Sequence, residues 1–192
     1  IEEITSSRIR GMELEMTQEL FLKAVQQNAL SENFDPDVQE ALGVLFNLSS
    51  EYDKAVDCFQ AAVQISPNNA KLWNRLGASY ANGNKPVDAV GAYQRALEIE
   101  PGFIRARYNV GVVCINLKSY KEAAEHLLLA LNHQATSKQR AGINIENNQS
   151  QMSDTLWSTL RMTISLMGRH GLQDHVDKRD LESLNKEFGM QG

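Results

Sequence analysis

The chain has 192 residues, a formal net charge of -5, and 42% hydrophobic and 22% charged residues, which are ordinary values for a folded globular protein. The mild acidity argues against nucleic acid as a partner, because a phosphate backbone requires a clustered basic face. No run of about 18 apolar residues occurs, so we expect no membrane span. The two cysteines, Cys58 and Cys114, are expected to be buried free thiols of a reducing compartment.

The first part of the chain resembles the end of a helical repeat. The chain starts at Ile1 instead of Met and carries no signal peptide at its start, so we expect it to be a piece of a longer protein. Residues 12–35 contain Phe21 and Ala24 at the relative places that recur in the repeats below. We interpret 12–35 as the second helix of a preceding repeat followed by a short loop.

The middle of the chain repeats with a period of 34 residues. Small residues and prolines keep this spacing at several independent places: Gly43, Gly77 and Gly111; Ala55, Ala89 and Ala123; Ala62, Ala96 and Ala130; Pro67 and Pro101. The pattern is that of the tetratricopeptide repeat, in which small residues let two antiparallel helices approach closely. It predicts an all-α superhelical solenoid with repeats at 36–69, 70–103 and 104–137, stacked so that they share one core.

The pattern changes after the third repeat. Residues 138–152 are polar, contain Gly and Asn, and show little apolar periodicity, which predicts a flexible loop. In 153–192 we expect a C-terminal helical bundle that packs against the last repeat. Ser153 is expected to cap one of its helices, and Asp177 is expected to cap the last helix, with Asp180 in the first turn.

Signatures of catalysis are missing from the sequence. The four histidines have no metal-binding spacing, no G-x-x-x-x-G-K-[ST] phosphate loop occurs, and no G-x-S-x-G element occurs. We therefore expect no catalytic residues, no metal and no cofactor, and a protein that is not an enzyme.

The informative polar residues are asparagines on the first helices of the hairpins. Asn74 and Asn82 are eight residues apart with Ala78 midway, so the three share one helix face. Arg105, Asn109 and Asn116 share a face of the next first helix in the same way. Asparagine amides donate and accept, so they suit the backbone of an extended peptide, and Arg105 suits a carboxylate. The alternative is that the asparagines cap turns or connect neighbouring hairpins and that Arg105 is an ordinary surface cation.

Three stretches and the tail carry a more specific resemblance. They are Asp35-Pro-Asp-Val-Gln through Leu42-Gly-Val-Leu-Phe-Asn-Leu-Ser to Glu51-Tyr-Asp-Lys-Ala-Val-Asp-Cys-Phe, Leu72-Trp-Asn-Arg-Leu-Gly-Ala with Ala81-Asn-Gly-Asn, Ile104-Arg-Ala-Arg-Tyr-Asn-Val-Gly with Cys114-Ile-Asn-Leu, and Trp157-Ser-Thr-Leu-Arg. Over about residues 12–192 the chain resembles the last repeats and C-terminal bundle of the peroxin 5 family, the import receptors of peroxisomes or glycosomes.

The resemblance implies a receptor that binds the C-terminal Ser-Lys-Leu type signal of cargo proteins. It implies that the asparagines of both helices bind the peptide backbone and terminal carboxylate, that Arg105 supports the carboxylate, and that Ala78 helps to floor the pocket. It also implies a cytoplasmic protein that cycles to the organelle membrane and meets docking proteins there through an N-terminal half. This chain holds three repeats and part of another, fewer than the domain of the family, and Arg75 stands where the family commonly has lysine.

Two other kinds of protein share the repeat. The first is a co-chaperone domain that binds the acidic tail of a chaperone with several groove cations, and Asn109 stands where such a domain wants a second cation beside Arg105. The second is the scaffold arm of a larger enzyme, such as a glycosyltransferase.

Overall fold

Every regular element in the described part of the chain is a helix, which confirms the all-α prediction. The structure, a computed structural model, describes residues 35–141 and 148–190 and the isolated helical positions Met12, Met16, Glu19, Leu20 and Lys23. Phe21 and Ala24, on which the predicted preceding repeat depends, lie outside the described residues. The chain divides into two units, Ile1–Lys85 and Pro86–Gly192, which are taken separately below.

From residue 35 onward, where the description of the first unit is continuous, it contains three helices, which are α1 (Pro36–Leu48), α2 (Tyr52–Ile65) and α3 (Ala70–Asn82). Asp35 caps α1 by accepting a hydrogen bond from the Asp37 amide at 2.9 Å, and Pro36 occupies the first helical turn. Asn69 caps α3 in the same manner. The two helices of the α1–α2 hairpin lie close together, because Gly43 faces the Phe59 ring without a side chain between them.

The second unit contains the remaining helices. They are α4 (Pro86–Ile99), α5 (Ile104–Asn116), α6 (Tyr120–Ala141), α7 (Asn148–Leu166), a 3-10 turn (His170–Leu172), α8 (Gln173–Asp177) and α9 (Leu181–Glu187). One apolar core joins α6, α7 and the tail, and Leu128, Leu156, Leu160 and Leu184 are completely buried in it. In the described part of the chain, no helix has the length and apolar character needed to cross a bilayer.

The turns that end the first helices repeat with the period of the sequence. Ser50, Asn84 and Lys118 all have positive φ, between 58° and 62°. The amide after each of them donates to the carbonyl five residues before it, and each of these hydrogen bonds is 2.8 Å long. This is a Schellman-type ending, which satisfies the last carbonyls of the helix and turns the chain into the next one.

The segment predicted as a loop is largely helical at both ends. Helix α6 continues to Ala141 and α7 begins at Asn148, so helix covers 138–141 and 148–152, and only 142–147 lies outside the described residues. The hydroxyls of Thr136 and Ser137 donate to carbonyls four residues earlier in α6. Polar residues therefore extend the helix here without any apolar periodicity.

The caps of the tail differ from the sequence prediction. Ser153 does not cap α7, because the helix begins five residues before it. Ser153 lies inside the helix and is buried. The last helix is capped by Asp180, whose Oδ1 accepts from the Ser183 amide at 3.1 Å, while Asp177 ends the short helix α8. The chain reverses at Arg179, which has φ of 54°, and this reversal leaves Asp180 as the residue that precedes the final helix.

Candidate functional site

The predicted residues on α3 differ in exposure along the helix. Asn74 is only 8% exposed and sits among the buried residues of α3, although it has an interaction partner within the chain. Ala78 is half-buried one turn later, and Asn82 is exposed at the last residue of the helix. A ligand on this face would therefore meet Asn82 in solvent and Asn74 at depth.

Asn82 is connected to the preceding hairpin through Asn47 of α1. Its Nδ2 donates to Asn47 Oδ1 at 3.5 Å, at the outer limit of a hydrogen bond. Asn47 Nδ2 in turn donates to Ser79 Oγ at 2.5 Å, and Ser79 Oγ donates to the Arg75 carbonyl at 3.1 Å. The contact between Asn82 and Asn47 is of the kind that the structural alternative predicts, a bond between neighbouring hairpins.

The predicted residues on α5 share a face beside its buried positions. Arg105 and Asn116 are exposed and Asn109 is half-buried with an interaction partner in the chain, whereas the intervening core positions are Ala106, Val110, Gly111, Val113 and Cys114. Among the described residues, no carboxylate forms an ion pair with Arg105. Its guanidinium therefore presents to solvent a charge that a carboxylate could neutralise.

The second arginine of α5 has a structural role. Arg107 Nε donates to the Pro101 carbonyl at 3.0 Å, and burial lowers the pKa of its guanidinium. Trp73, 34 residues earlier, donates from Nε1 to the Pro67 carbonyl at 2.8 Å. Because both bonds fix the loop that precedes a first helix, Arg107 belongs to the scaffold and Arg105 is the arginine available to a ligand.

Two histidines of α6 lie near Arg107. Burial lowers the pKa of His126, and the charge of Arg107 lowers it further, whereas Glu125 and Glu122 act in the opposite direction. Burial and Arg107 also lower the pKa of His133. Nδ1 of His126 is buried without a hydrogen-bond partner among the described residues. The lowered pKa values of both histidines favour the neutral imidazole.

No cluster of potential metal ligands occurs in the described part of the chain. Cys58 and Cys114 are free thiols, half-buried and buried respectively. Burial, followed by the charge of Asp57, raises the pKa of Cys58 to about 11, and burial also raises the pKa of Cys114. Raised values suppress the thiolate, which is the reactive form.

Sequence reasoning missed Asn47 and Ser79. The period of 34 pairs Asn47 with Ala81, not with Asn82, so Asn47 falls outside the asparagine series in the aligned repeats. Ser79 is completely buried and was hidden among the packing residues of α3. The stretch Phe46-Asn-Leu-Ser contains two polar residues near the end of α1, and one of them is Asn47. That the partner of Asn47 is Ser79 can be identified only in three dimensions.

Comparison with known proteins agrees with the repeat pattern. Profiles described as TPR repeat and Tetratricopeptide repeat match residues 43–83 and 70–103 respectively. The chain contains tetratricopeptide repeats. A crystal structure of MamA superposes with a TM-score of 0.67 over 94% of this chain and 92% of that one, and its 14% identity relates the two by fold alone.

Relatives of higher identity cover most of the chain. It is 49% identical over 175 residues to the peroxisomal targeting signal receptor of Debaryomyces hansenii and 46% identical over 173 residues to that of Candida albicans. Each alignment covers 90% of this chain but only 28% or 29% of the relative. The chain thus spans less than a third of these receptors, and the resemblance predicted from its sequence is confirmed.

Proposed function

We propose that this chain is a receptor region that binds the C-terminal Ser-Lys-Leu type signal of cargo proteins destined for peroxisomes or glycosomes. The observation that carries the proposal is the 49% identity, over 90% of the chain, to a protein named as a peroxisomal targeting signal receptor. This identity favours a receptor over a co-chaperone domain or the arm of an enzyme. The proposed activity is binding, without a catalytic step.

The chemistry of α5 fits the end of such a signal. A C-terminal carboxylate carries a full negative charge and two acceptor oxygens, and the exposed guanidinium of Arg105 offers paired donors for them. Asn109 and Asn116 follow on the same face of α5. Their amides can donate to peptide carbonyls and accept from peptide amides, which gives affinity for a backbone whatever its side chains are.

The residues of α3 supply the same chemistry in the first unit. Asn82 is exposed and Asn74 is nearly buried, with the small side chain of Ala78 between them. A small residue at that position leaves room for a ligand side chain beside the two amides. We assign Asn74 and Asn82 to the peptide backbone and Ala78 to the floor of the pocket for the last side chain.

The proposal extends to the cellular role implied by the relatives. The chain would bind cargo in the cytoplasm and carry it to the organelle membrane, where other parts of a longer receptor would meet docking proteins. Each alignment covers only 28% or 29% of the relative, so most of the length of these receptors lies outside the matched region. Docking partners are therefore assigned to residues outside this chain.

A peptide titration tests the carboxylate. A labelled peptide that ends in Ser-Lys-Leu with a free carboxylate should bind more tightly than its amidated form, and a peptide with an acidic tail should bind more weakly. Arg105→Gln should lower the affinity for the free peptide roughly ten- to a hundredfold, because a charge-assisted hydrogen bond contributes about 1.5–3 kcal/mol. The same variant should nearly abolish discrimination between the two forms.

Arg95→Gln provides the matched control. It removes the same charge from the same unit at an exposed arginine that pairs with Glu98 on α4, so it tests long-range attraction alone. If Arg95→Gln weakens binding as much as Arg105→Gln, or if the chain binds the free and amidated peptides equally, then a carboxylate site at Arg105 is refuted.

The asparagines are tested by comparing Asn109→Ala with Leu76→Ala. Asn109→Ala should weaken peptide binding roughly five- to a hundredfold and change the melting temperature little, because alanine is the better helix former. Leu76 is 3% exposed, so its truncation should cost about 2–5 kcal/mol of stability and affect binding only through unfolding. An Asn109→Ala chain that melts as early as Leu76→Ala would identify Asn109 as a structural residue.

A further inference from the structure

The hydrogen bonds around Asn47 have a fixed direction, which begins at Ser79. A serine hydroxyl has one hydrogen to donate, and that of Ser79 goes to the Arg75 carbonyl at 3.1 Å. Its oxygen must therefore accept in the contact with Asn47, where the two atoms are 2.5 Å apart. Only the amide nitrogen of Asn47 can donate, so the nitrogen side of that amide faces Ser79.

The orientation of Asn47 determines that of Asn82. With its nitrogen at Ser79, Asn47 turns its Oδ1 to the other neighbour, and this oxygen accepts from Asn82 Nδ2 at 3.5 Å. One hydrogen of the Asn82 amide is then directed to Asn47. The other hydrogen and the Oδ1 acceptor remain for solvent or a ligand, since no further bond of Asn82 occurs among the described residues.

The series of hydrogen bonds from Ser79 through Asn47 to Asn82 becomes more exposed and longer along its course. Ser79 is completely buried, Asn47 is half-buried and Asn82 is exposed. The distances follow the same order, because the bond at Ser79 is short and the bond to Asn82 is long. A second contact joins the same two helices, the ion pair of Arg75 with Glu40 at 3.1 Å.

We propose that Asn47 is a positioning residue that sets which way the Asn82 amide faces, so that Asn82 presents its acceptor oxygen and one N–H to a bound peptide. The proposal extends the peptide-binding function proposed above to a residue that itself need not touch the peptide. Without Asn47 the Asn82 amide can rotate or flip, and the peptide would have to select one of several orientations.

The orientation can be tested without any peptide. Side-chain amide signals of the isotope-labelled 192-residue chain are recorded by NMR, and the pair that disappears in Asn82→Ala is assigned to Asn82. In Asn47→Ala this pair should shift, because its hydrogen-bond acceptor is lost. Asn68→Ala is the control, since it removes an exposed asparagine of the same unit and should leave the Asn82 pair in place.

A double-mutant cycle tests the consequence for binding. Asn47→Ala should weaken binding of the free Ser-Lys-Leu peptide by roughly three- to tenfold, the size of one net hydrogen bond. In the Asn82→Ala background the same change should have almost no effect, because Asn47 then has nothing to position. A residue that only stabilises the fold would lower the melting temperature and weaken binding equally in both backgrounds.

The outcomes separate this inference from the proposed function. If the unmodified chain does not bind the peptide, the proposed function fails, and the NMR comparison alone decides whether Asn47 orients Asn82. Asn82 signals that are identical in the unmodified chain and in Asn47→Ala overturn the inference. So does equal weakening of binding in both backgrounds of the cycle.

Discussion

A methyl group added at Gly43 should destabilise the chain by disturbing the Phe59 ring. A Cβ at position 43 would lie 2.7 Å from Phe59 Cζ and 2.8 Å from both Cε atoms. Carbon atoms in contact are normally about 3.5–4.0 Å apart, so the ring would have to move by nearly 1 Å. Phe59 is only 1% exposed, and such a movement would displace its other neighbours as well.

The size of the effect follows from two opposing contributions. Alanine is favoured over glycine inside a helix by about 1 kcal/mol, and overpacking of a core typically costs about 1–3 kcal/mol. Gly43→Ala should therefore lower the free energy of unfolding by up to about 2 kcal/mol. Gly91 lies inside α4 with nothing within 4 Å of its added Cβ, so Gly91→Ala should raise stability by up to about 1 kcal/mol.

Gly111 provides an intermediate case in this series. Its added Cβ would meet Leu127 Cγ and Cδ2 at 3.2 Å, a smaller overlap with a side chain that can change rotamer. Urea unfolding followed by circular dichroism should rank the variants as Gly91→Ala, Gly111→Ala, Gly43→Ala in falling stability. Phe59→Leu should cost less in the Gly43→Ala chain than in the unmodified one. If Gly43→Ala is as stable as Gly91→Ala, close packing at Gly43 is not what holds the hairpin.

Two further predictions concern the second unit. Burial lowers the pKa of folded His126 below its ordinary value of 6.5, so the unfolded chain binds more protons than the folded chain and stability should fall as the pH drops below 6.5. Urea unfolding between about pH 5 and 8 should show a shallower fall of stability for His126→Gln, and an unchanged pH dependence would contradict the role of His126. Asn132 and Asn185 exchange two amide hydrogen bonds of 3.0 and 2.9 Å. Asn185→Ala should therefore lower the free energy of unfolding by about 1–3 kcal/mol, and the change of both residues to leucine should lower it much less; an equal loss of stability in both variants would show that the pairing is unimportant.

The fold follows from the period because each repeated position has one packing task. Glycine at position 43 meets the aromatic ring at position 59, and glycine at position 111 meets Leu127 in the same way. Both pairs keep the same separation in sequence, so the hairpin can be predicted from the spacing of residues alone. The left-handed turn residues also keep the period, but Ser50 and Lys118 are unusual choices for positive φ. Residue type alone could not identify them.

The C-terminal part was harder to predict because apolar periodicity reports burial and not helicity. Residues 138–141, Lys-Gln-Arg-Ala, are good helix formers and continue helix α6. Their lack of an apolar stripe resembles a loop. The tail posed a different difficulty, because Asp177 and Asp180 are both plausible caps. The choice between them depends on the chain reversal at Arg179 and the short helix α8.

Part of the candidate site can be predicted from the period of the sequence, and part of it cannot. Periodicity singled out Asn82 because it asks which residues recur at one place in successive repeats. A hydrogen bond between adjacent repeats need not join equivalent places, and the one from Asn82 ends at Asn47, one position out of register. Residues that recur at equivalent places therefore identify the groups that meet a ligand. The residues that orient those groups can lie at places that are not equivalent, because neighbouring helices contact each other out of register. For a peptide-binding repeat, the search for specificity should include the residues beside the repeated register as well as those on it.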